Sequence, residues 1–320
     1  MLNGLKKPDD IVRLEKIKSN LRFRSKYLRE LRNFFFTADF IEIETPVMVK
    51  SPAPEDYINA PQTGDFFLRT SPELHMKRLI AAGYDKIFQV GPCFREGEMG
   101  ALHNVEFSML EWYETGKNYN DLLAFTQKLL LNTIRNATDT TSINFRGNVI
   151  EFDKQWEIYT VRGAFKEFAG ISPEQAIRDG NFEVLLTEKI EPNLPKDRPV
   201  ILKDYPVSMA ALSRFKEDDN SVAERWELYL GGIEIANAYS ELIDPFEQRK
   251  RFDIAHENRK RLNLPKYPED SDFFEALKYG MNSYTGIALG IDRLIMVLTD
   301  APNIREVVSF TERSQSSEST

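Results

Sequence analysis

Residues 224 to 239 read ERWELYLGGIEIANAY. Runs rich in Trp, Leu, Tyr and Ile flank Gly231-Gly232. That is the pattern of a β-hairpin, because paired glycines suit a two-residue turn. With Gly231-Gly232 as the turn, Leu230 opposes Ile233, Tyr229 opposes Glu234 and Glu227 opposes Ala236. Side chains alternate faces along a strand. Glu227 and Glu234 therefore share a face as diagonal neighbours within long-side-chain reach, and the small Ala236 and Ala238 leave room for a ligand there. Two carboxylates this close repel unless a cation separates them. Mg²⁺ is usually held this way, by one or two carboxylates plus substrate phosphates. A solvated acidic face is the competing reading.

A second hairpin-like region surrounds a long polar connection. KIFQVGPC (residues 86 to 93) and the run 104 to 114 read as strands, yet FREGEMGALHNVEF (94 to 107) is far longer than a turn needs. In the second strand Phe107, Met109, Glu111 and Tyr113 share one face, and Glu106, Ser108, Leu110 and Trp112 the other. The first set could stack a base and hold an ammonium group; it could equally be core with Glu111 paired to a nearby base. Arg95 stands where strand meets loop, a position suited to an arginine fork on phosphate. GIALGIDRLIMVLTD starts glycine-rich and becomes helical. Its glycines allow backbone approach to a ligand, and Arg293 falls in the first turn, where a helix favours anions; an ordinary Asp292–Arg293 salt bridge is the alternative.

The remaining pattern predicts helices and strands in alternation. Ile11, Leu14, Ile17, Leu21, Leu28, Leu31 and Phe35 recur at helical spacing over 9–38, as two helices or one broken helix. Its basic residues (Arg13, Lys16, Lys18, Arg22, Arg24, Lys26) read as a solvated face or as a docking face for an acidic protein. FIEIETPVMV reads as a strand ending at Pro46, SPELHMKRLIAAG as a helix stopped by Gly83, residues 119 to 136 and DPFEQRKRFDIAHENRKRL as helices, and RPVILKDYPVSM as strand. Residues 140 to 200 are mixed. Runs of apparently antiparallel strands with helices between them indicate an α+β fold. No linker splits the chain, so one domain spans 1–313, and the small polar tail 314–320 reads as disordered.

Net charge is −8 with a pI near 5.2, which argues against nucleic-acid binding through bulk positive charge. Cys93 is the single cysteine, so neither an internal disulfide nor a cysteine-rich zinc site is available. No apolar run approaches the ~20 residues of a membrane span, and the N-terminus lacks the apolar core of a signal peptide. The composition fits a soluble protein of a reducing, cytoplasmic compartment.

Taken together and in order, these pieces resemble the three motifs of class II aminoacyl-tRNA synthetases. FIEIETPVMV resembles motif 1, which in that class builds a homodimer interface. FREGE followed by HNVEF resembles motif 2, and GIALGIDRL motif 3. The segments TSPELHMKRL, MLEWY, ERWELYLGGIEIANAYSEL and DPFEQRKRF are similar to the lysyl branch, so the resemblance runs from about residue 20 to 310. It implies a mostly antiparallel sheet flanked by helices. Only a short helical lead precedes motif 1, too short for a five-stranded anticodon-binding barrel. No anticodon recognition is therefore expected. The chain accordingly resembles the elongation factor P lysine ligases, free-standing relatives of the lysyl-tRNA synthetase core. These activate (R)-β-lysine or lysine with ATP and attach it to a lysine ε-amino group of elongation factor P.

The resemblance implies roles for individual residues. Arg95 would hold the α-phosphate of ATP and Arg293 the γ-phosphate. Glu96, Gly97, Glu98 and Asn104 would line the ATP side of the motif 2 loop, Phe107 would stack on adenine, and Gly290 would let ATP approach the backbone, with Glu234 and Ile235 also at the nucleotide. Glu227 and Glu234 would carry Mg²⁺. Ser71, Pro72, Glu73, Glu111, Tyr113, Asn237, Glu241 and Ala288 would surround the amino acid: Tyr113 and Glu241 at its far ammonium, Glu73 and Glu111 at its near one. A buried dication must be paired, which accounts for so many carboxylates. Some positions depart from the lysyl pattern. Val105 replaces a proline. Arg-Glu-Gly-Glu replaces Arg-x-Glu, so either Glu96 or Glu98 could meet adenine. Ala238 and Ala288 replace glycines, and the extra methyl of Ala288 hints at β-lysine over α-lysine, being worth ~1–3 kcal/mol of discrimination. Two rival readings are a lysyl-type enzyme charging tRNA and a non-catalytic binder of lysine or ATP.

Overall fold

The protein, a computed structural model, describes residues 7–311; the tail expected over 314–320 lies outside them. The helical lead is two helices, α1 (Asp9–Lys16) and α2 (Lys18–Thr37), broken at Ile17. Tyr27, Leu31 and Phe35 form the buried stripe of α2. Phe35 stacks on Phe88, centroids 4.5 Å apart, and meets Trp112 edge-on, so the lead is bound into the main core. Its basic residues are largely used within the chain. Lys16 pairs with Glu306 at 2.8 Å, Arg24 with Asp292 at 2.6 Å, Lys26 donates to the Ala137 carbonyl, and Arg13 to those of Arg305 and Ser309. The docking reading of this stripe therefore loses most of its free cations.

The main body is a nine-stranded sheet. Its ordered strands are β1 (Ile41–Glu42), β2 (Lys86–Phe94), β3 (Glu106–Thr115), β4 (Glu157–Thr160), β5 (Val200–Pro206), β6 (Asp219–Leu230), β7 (Ile233–Ser240) and β8 (Tyr284–Gly290). They run in the order β1-β2-β3-β8-β7-β6-β5-β4, with Phe215–Lys216 added beside β6. The centre is antiparallel; β1 on β2 and β4 on β5 are parallel. One face is covered by α2, by the helix Tyr119–Thr138 and by the helix after β8, Ile291–Leu298, over a core that includes Leu110, Trp112, Trp226, Leu228, Ile287 and Leu289. The other face carries the cavity described below.

Three features differ from the sequence reading or add to it. The strand expected across FIEIETPVMV is only two residues long in the main sheet; Met48–Val49 joins a separate sheet with Gln62–Thr63 and Phe66–Leu68. Pro46 has no N–H with which to continue a ladder. The glycine-rich GIALG, given no element by the sequence pattern, forms the last five residues of β8, at the sheet centre, and the helix begins at Ile291. The third change is in the register of the hairpin. Leu230 faces Ile233 and Tyr229 faces Glu234 as expected, but then Leu228 faces Ala236 and Glu227 faces Asn237. Ile235 is an extra, unpaired residue, a β-bulge that shifts the alternation by one. Beyond it Asn237, Tyr239 and Glu241 share the face of Glu227, while Ala238 turns into the core and Ala236, also in the core, reaches only the cavity's edge.

Residues 140 to 200 resolve into a small hairpin (Ser142–Phe145 with Asn148–Glu151), then β4, then short helical turns packed around Phe165, Phe182, Leu186 and Ile190 beside β5. Among the described residues no helix is long and apolar enough to cross a membrane.

Candidate active site

The floor of the cavity is set by three small residues. Gly286, Ala288 and Gly290 alternate along β8 on its open face, and none fills the space above it. Their neighbours in register do. Tyr113 and Tyr239 flank Gly286, Glu111 and Asn237 flank Ala288, and Met109 lies beside Gly290. Across β7, Arg225 faces Tyr239 and Glu227 faces Asn237. The result is a cleft of about 390 Å³ lined by these side chains, by the loop 55–58, by Ser71 and Glu73, and by Arg95, Glu98, His103, Asn104, Phe107, Glu234, Ile235 and Arg293. Nearly every residue expected at a ligand thus meets in one cavity. Pro72, Glu96 and Gly97 are not part of its lining; Glu96 is exposed, while Glu98 faces in.

One end is crowded with carboxylates. Glu111 is buried and accepts from Ser71 Oγ at 2.7 Å and from the Tyr113 hydroxyl at 2.9 Å. Burial, then repulsion from Glu73, pushes its carboxyl up to about 8. Glu241 is also pushed up to about 8, by burial against the pull of Lys77 and with repulsion from Glu73 and Glu111. Lys77 is a residue the sequence pattern did not single out. It is 1% exposed and bridges Glu73 at 2.5 Å and Glu241 at 2.6 Å. It lies four residues after Glu73 on the helix Glu73–Ala81, so helical spacing alone could have paired it with Glu73. One lysine does not balance Glu73, Glu111 and Glu241, and the excess negative charge suits a cationic ligand.

The other end gathers arginines and a second group of carboxylates. The Arg95 guanidinium lies over the Phe107 ring, 5.2 Å from its centroid, and its Nε is buried without a hydrogen-bond partner among the described residues. Arg95 is fixed at the end of β2 by donating its backbone N–H to the Val105 carbonyl at 2.9 Å. Arg293 reaches the Glu234 carboxylate and carbonyl, both at 3.1 Å, and meets the His103 ring. Burial and the Arg293 charge hold His103 below its usual range. Asp292 accepts from the Ser108 backbone N–H and pairs with Arg24, so α2 fixes the first turn that carries Arg293.

Glu227 is held by three groups: Arg225 on one oxygen, Tyr205 and Tyr229 on the other. Burial and repulsion from Glu227 raise Glu234. Glu183 and Glu191, from the stretch the sequence left unread, stand beside this pair. Glu191 accepts from the Tyr229 hydroxyl at 3.2 Å and is pushed up to about 7, by burial first and then by Glu227 and Glu234. Glu183 is raised by burial. Such mutual repulsion is what a divalent cation relieves, and oxygen donors are those Mg²⁺ takes. Among the described residues no group of three or more His, Cys, Asp or Glu side chains forms a cage, so a metal here would share its ligands with a bound phosphate.

Residues 8–314 match the family of class II tRNA synthetases (D, K and N). The chain belongs to that family. It is similar along nearly the whole length to two elongation factor P–(R)-β-lysine ligases. One, from Haemophilus influenzae strain PittGG, is 36% identical over 91% of this chain and 94% of its own. The other, from Hamiltonella defensa, is 34% identical over 91% and 94%. A lysine–tRNA ligase from Prochlorococcus marinus is 32% identical over 92% of this chain, which spans about 62% of that relative's length. Within the family, the chain therefore stands with the lysine-ligase branch.

Proposed function

We propose that this protein is an ATP-dependent ligase that activates (R)-β-lysine, or lysine, as an adenylate and transfers it to a lysine ε-amino group of elongation factor P. The observation that carries this is a single cavity with a carboxylate-rich blind end at Glu73, Glu111 and Glu241 and an arginine-bearing end at Arg95 and Arg293. A dicationic amino acid fits the first and a triphosphate the second. The choice of acceptor rests on the relatives matched over 94% of their own length.

In the first step the substrate carboxylate attacks the α-phosphorus of ATP and pyrophosphate leaves. Arg95 is assigned to the α-phosphate, where negative charge develops, and Arg293 to the γ-phosphate, a role that oriented charges perform without reorganisation. Phe107 offers the ring face for adenine, and Glu98 and Asn104 face the same side. Mg²⁺, when bound by Glu227 and Glu234, neutralises phosphate charge. Glu241 and Tyr113 take the far ammonium, Glu73 and Glu111 the near one. In the second step the acceptor amine attacks the adenylate carbonyl, and no covalent enzyme intermediate is needed. ATP, a lysine isomer and a translation factor as substrates imply a cytoplasmic setting. A homodimer through motif 1 is supported by the exposed apolar Phe36, Ile41 and Met48 at that edge.

Intact-mass measurement after incubation with ATP, Mg²⁺, elongation factor P and, in turn, α-lysine and both β-lysine enantiomers tests the reading. One added lysyl-sized mass with one isomer preferred is expected. Amino-acid-dependent pyrophosphate exchange without a mass on the factor would instead favour tRNA as acceptor, the second reading supported by the lysine–tRNA ligase match. ATP binding with neither signal would favour a non-catalytic binder.

A further inference from the structure

An amine acceptor arrives as an ammonium ion and must lose a proton before its nitrogen can attack. Most carboxylates around the cavity are already engaged. Glu73 and Glu241 hold Lys77, Glu111 holds Ser71 and Tyr113, Glu227 holds Arg225 and two tyrosines, Glu234 holds Arg293, and Asp292 holds Arg24. Glu98 lies 3.7 Å from Arg95. Two lining carboxylates have neither a hydrogen bond nor an ion pair among the described residues: Glu183 and Glu55. Glu183 belongs with Glu227 and Glu234 at the proposed metal end.

Glu55 is placed differently. It lines the same cavity as Arg95, the group assigned to the α-phosphate, and Glu73, the group assigned to the near ammonium, and these two charges act on it most strongly. The carbonyl of an aminoacyl-adenylate lies between those two points. The loop that carries Glu55 is held from behind. The buried Arg259 donates to the carbonyls of Glu55 at 2.7 Å and Ile58 at 2.8 Å and to the Asn59 side chain at 3.0 Å. Asn258 donates to Asp56, and the Glu96 N–H donates to the Asn59 carbonyl at 2.7 Å, tying this loop to that of Arg95. The backbone is fixed while the carboxylate is left free in the cavity.

We propose that Glu55 is the base that receives the acceptor ammonium's proton in the transfer step. The inference rests on the reading given under Proposed function. One proton passes from the ammonium to the Glu55 carboxylate. The freed nitrogen lone pair forms the C–N bond to the adenylate carbonyl. The carbonyl C–O bond to the AMP phosphate then breaks, its electron pair leaving on the phosphate oxygen, and the second nitrogen proton is lost to water. Burial raises Glu55 above the usual carboxylate range, which brings a carboxylate closer to the working range of a base at neutral pH.

The test compares Glu55→Gln and Glu55→Asp with the unaltered full chain in three reactions: amino-acid-dependent pyrophosphate exchange, hydroxamate formation with hydroxylamine, and transfer to elongation factor P across pH. Hydroxylamine is unprotonated at neutral pH and needs no base. For Glu55→Gln, exchange and hydroxamate formation stay close to the unaltered level, while transfer to the factor falls by ~100-fold or more and recovers as rising pH frees the acceptor amine. Glu55→Asp restores part of the transfer. Equal loss in all three reactions would make Glu55 an amino-acid-binding residue and overturn the proposal, as would unchanged transfer. If the unaltered chain forms hydroxamate but does not modify the factor, the acceptor assignment itself falls, and the proposal with it.

Discussion

Gly286 is the point where one added methyl has the clearest consequence. A Cβ built there lies 2.6 Å from Tyr113 Cδ1, and closer still to Tyr113 Cε1 and Glu241 Oε1. Ordinary contact begins at 3.4 Å, so the ring would have to retreat by more than about 0.8 Å, the shortfall at Cδ1, because Cε1 is closer still. It has nowhere to go. Tyr113 is buried, its hydroxyl is committed to Glu111, and it packs beside Tyr284. Glu241 is the more movable neighbour, and turning it aside removes the carboxylate from the far ammonium. A hydrogen bond to a charged group contributes about 1.5–3 kcal/mol, which converts to roughly a ten- to 150-fold loss of affinity. Gly286→Ala should therefore raise KM for the amino acid by that factor in pyrophosphate exchange. KM for ATP should hold within about twofold, because no residue assigned to ATP is among the contacts of the added Cβ. Thermal melting establishes that the variant is folded. A folded Gly286→Ala protein with an unaltered amino-acid KM would refute the placement of the far ammonium between Tyr113 and Glu241.

Arg95→Ala should lower adenylate formation by ~100-fold or more with the fold intact; near-normal pyrophosphate exchange would remove Arg95 from the α-phosphate. Ala288→Gly should shift the ratio of kcat/KM between α-lysine and β-lysine by about tenfold toward α-lysine, given ~1–3 kcal/mol per methyl, and an unchanged ratio would show that the methyl beside Glu111 and Asn237 does not select the isomer. Glu111 and Glu241 sit at about 8 in the folded protein against an ordinary 4.5. The native state then binds more protons than the unfolded chain between those values. The stability these groups contribute is complete at lower pH and is lost as pH rises toward and through 8. Melting temperatures from pH 5 to 9 should show this decline, and saturating lysine should flatten it, since a bound dication favours the ionised carboxylates. An identical slope with and without lysine would contradict that coupling.

The local patterns were legible in the sequence. The Gly231-Gly232 turn, the shared face of Phe107, Met109, Glu111 and Tyr113, and the helical stripe through Leu31 and Phe35 follow from periods of two and 3.6 residues; Tyr27, buried in that stripe, is not among the residues the spacing picks out. The motif resemblance named Arg95, Arg293, Glu227 and Glu234, and the fold brings them to one cavity. Tertiary structure decided what pattern could not. The bulge at Ile235 leaves strand alternation intact as letters, yet it turns Ala238 into the core and brings Asn237, Tyr239 and Glu241 to the cavity. The positions of Glu183, Glu191 and Glu55 depend on loops and short helical turns, where no period links sequence to orientation. Lys77 could be paired with Glu73 from helical spacing, but its second partner, Glu241, comes from a distant strand. Sequence spacing reports which neighbours share an element; which elements share a cavity, and hence which charges must balance, is set only when the chain closes on itself.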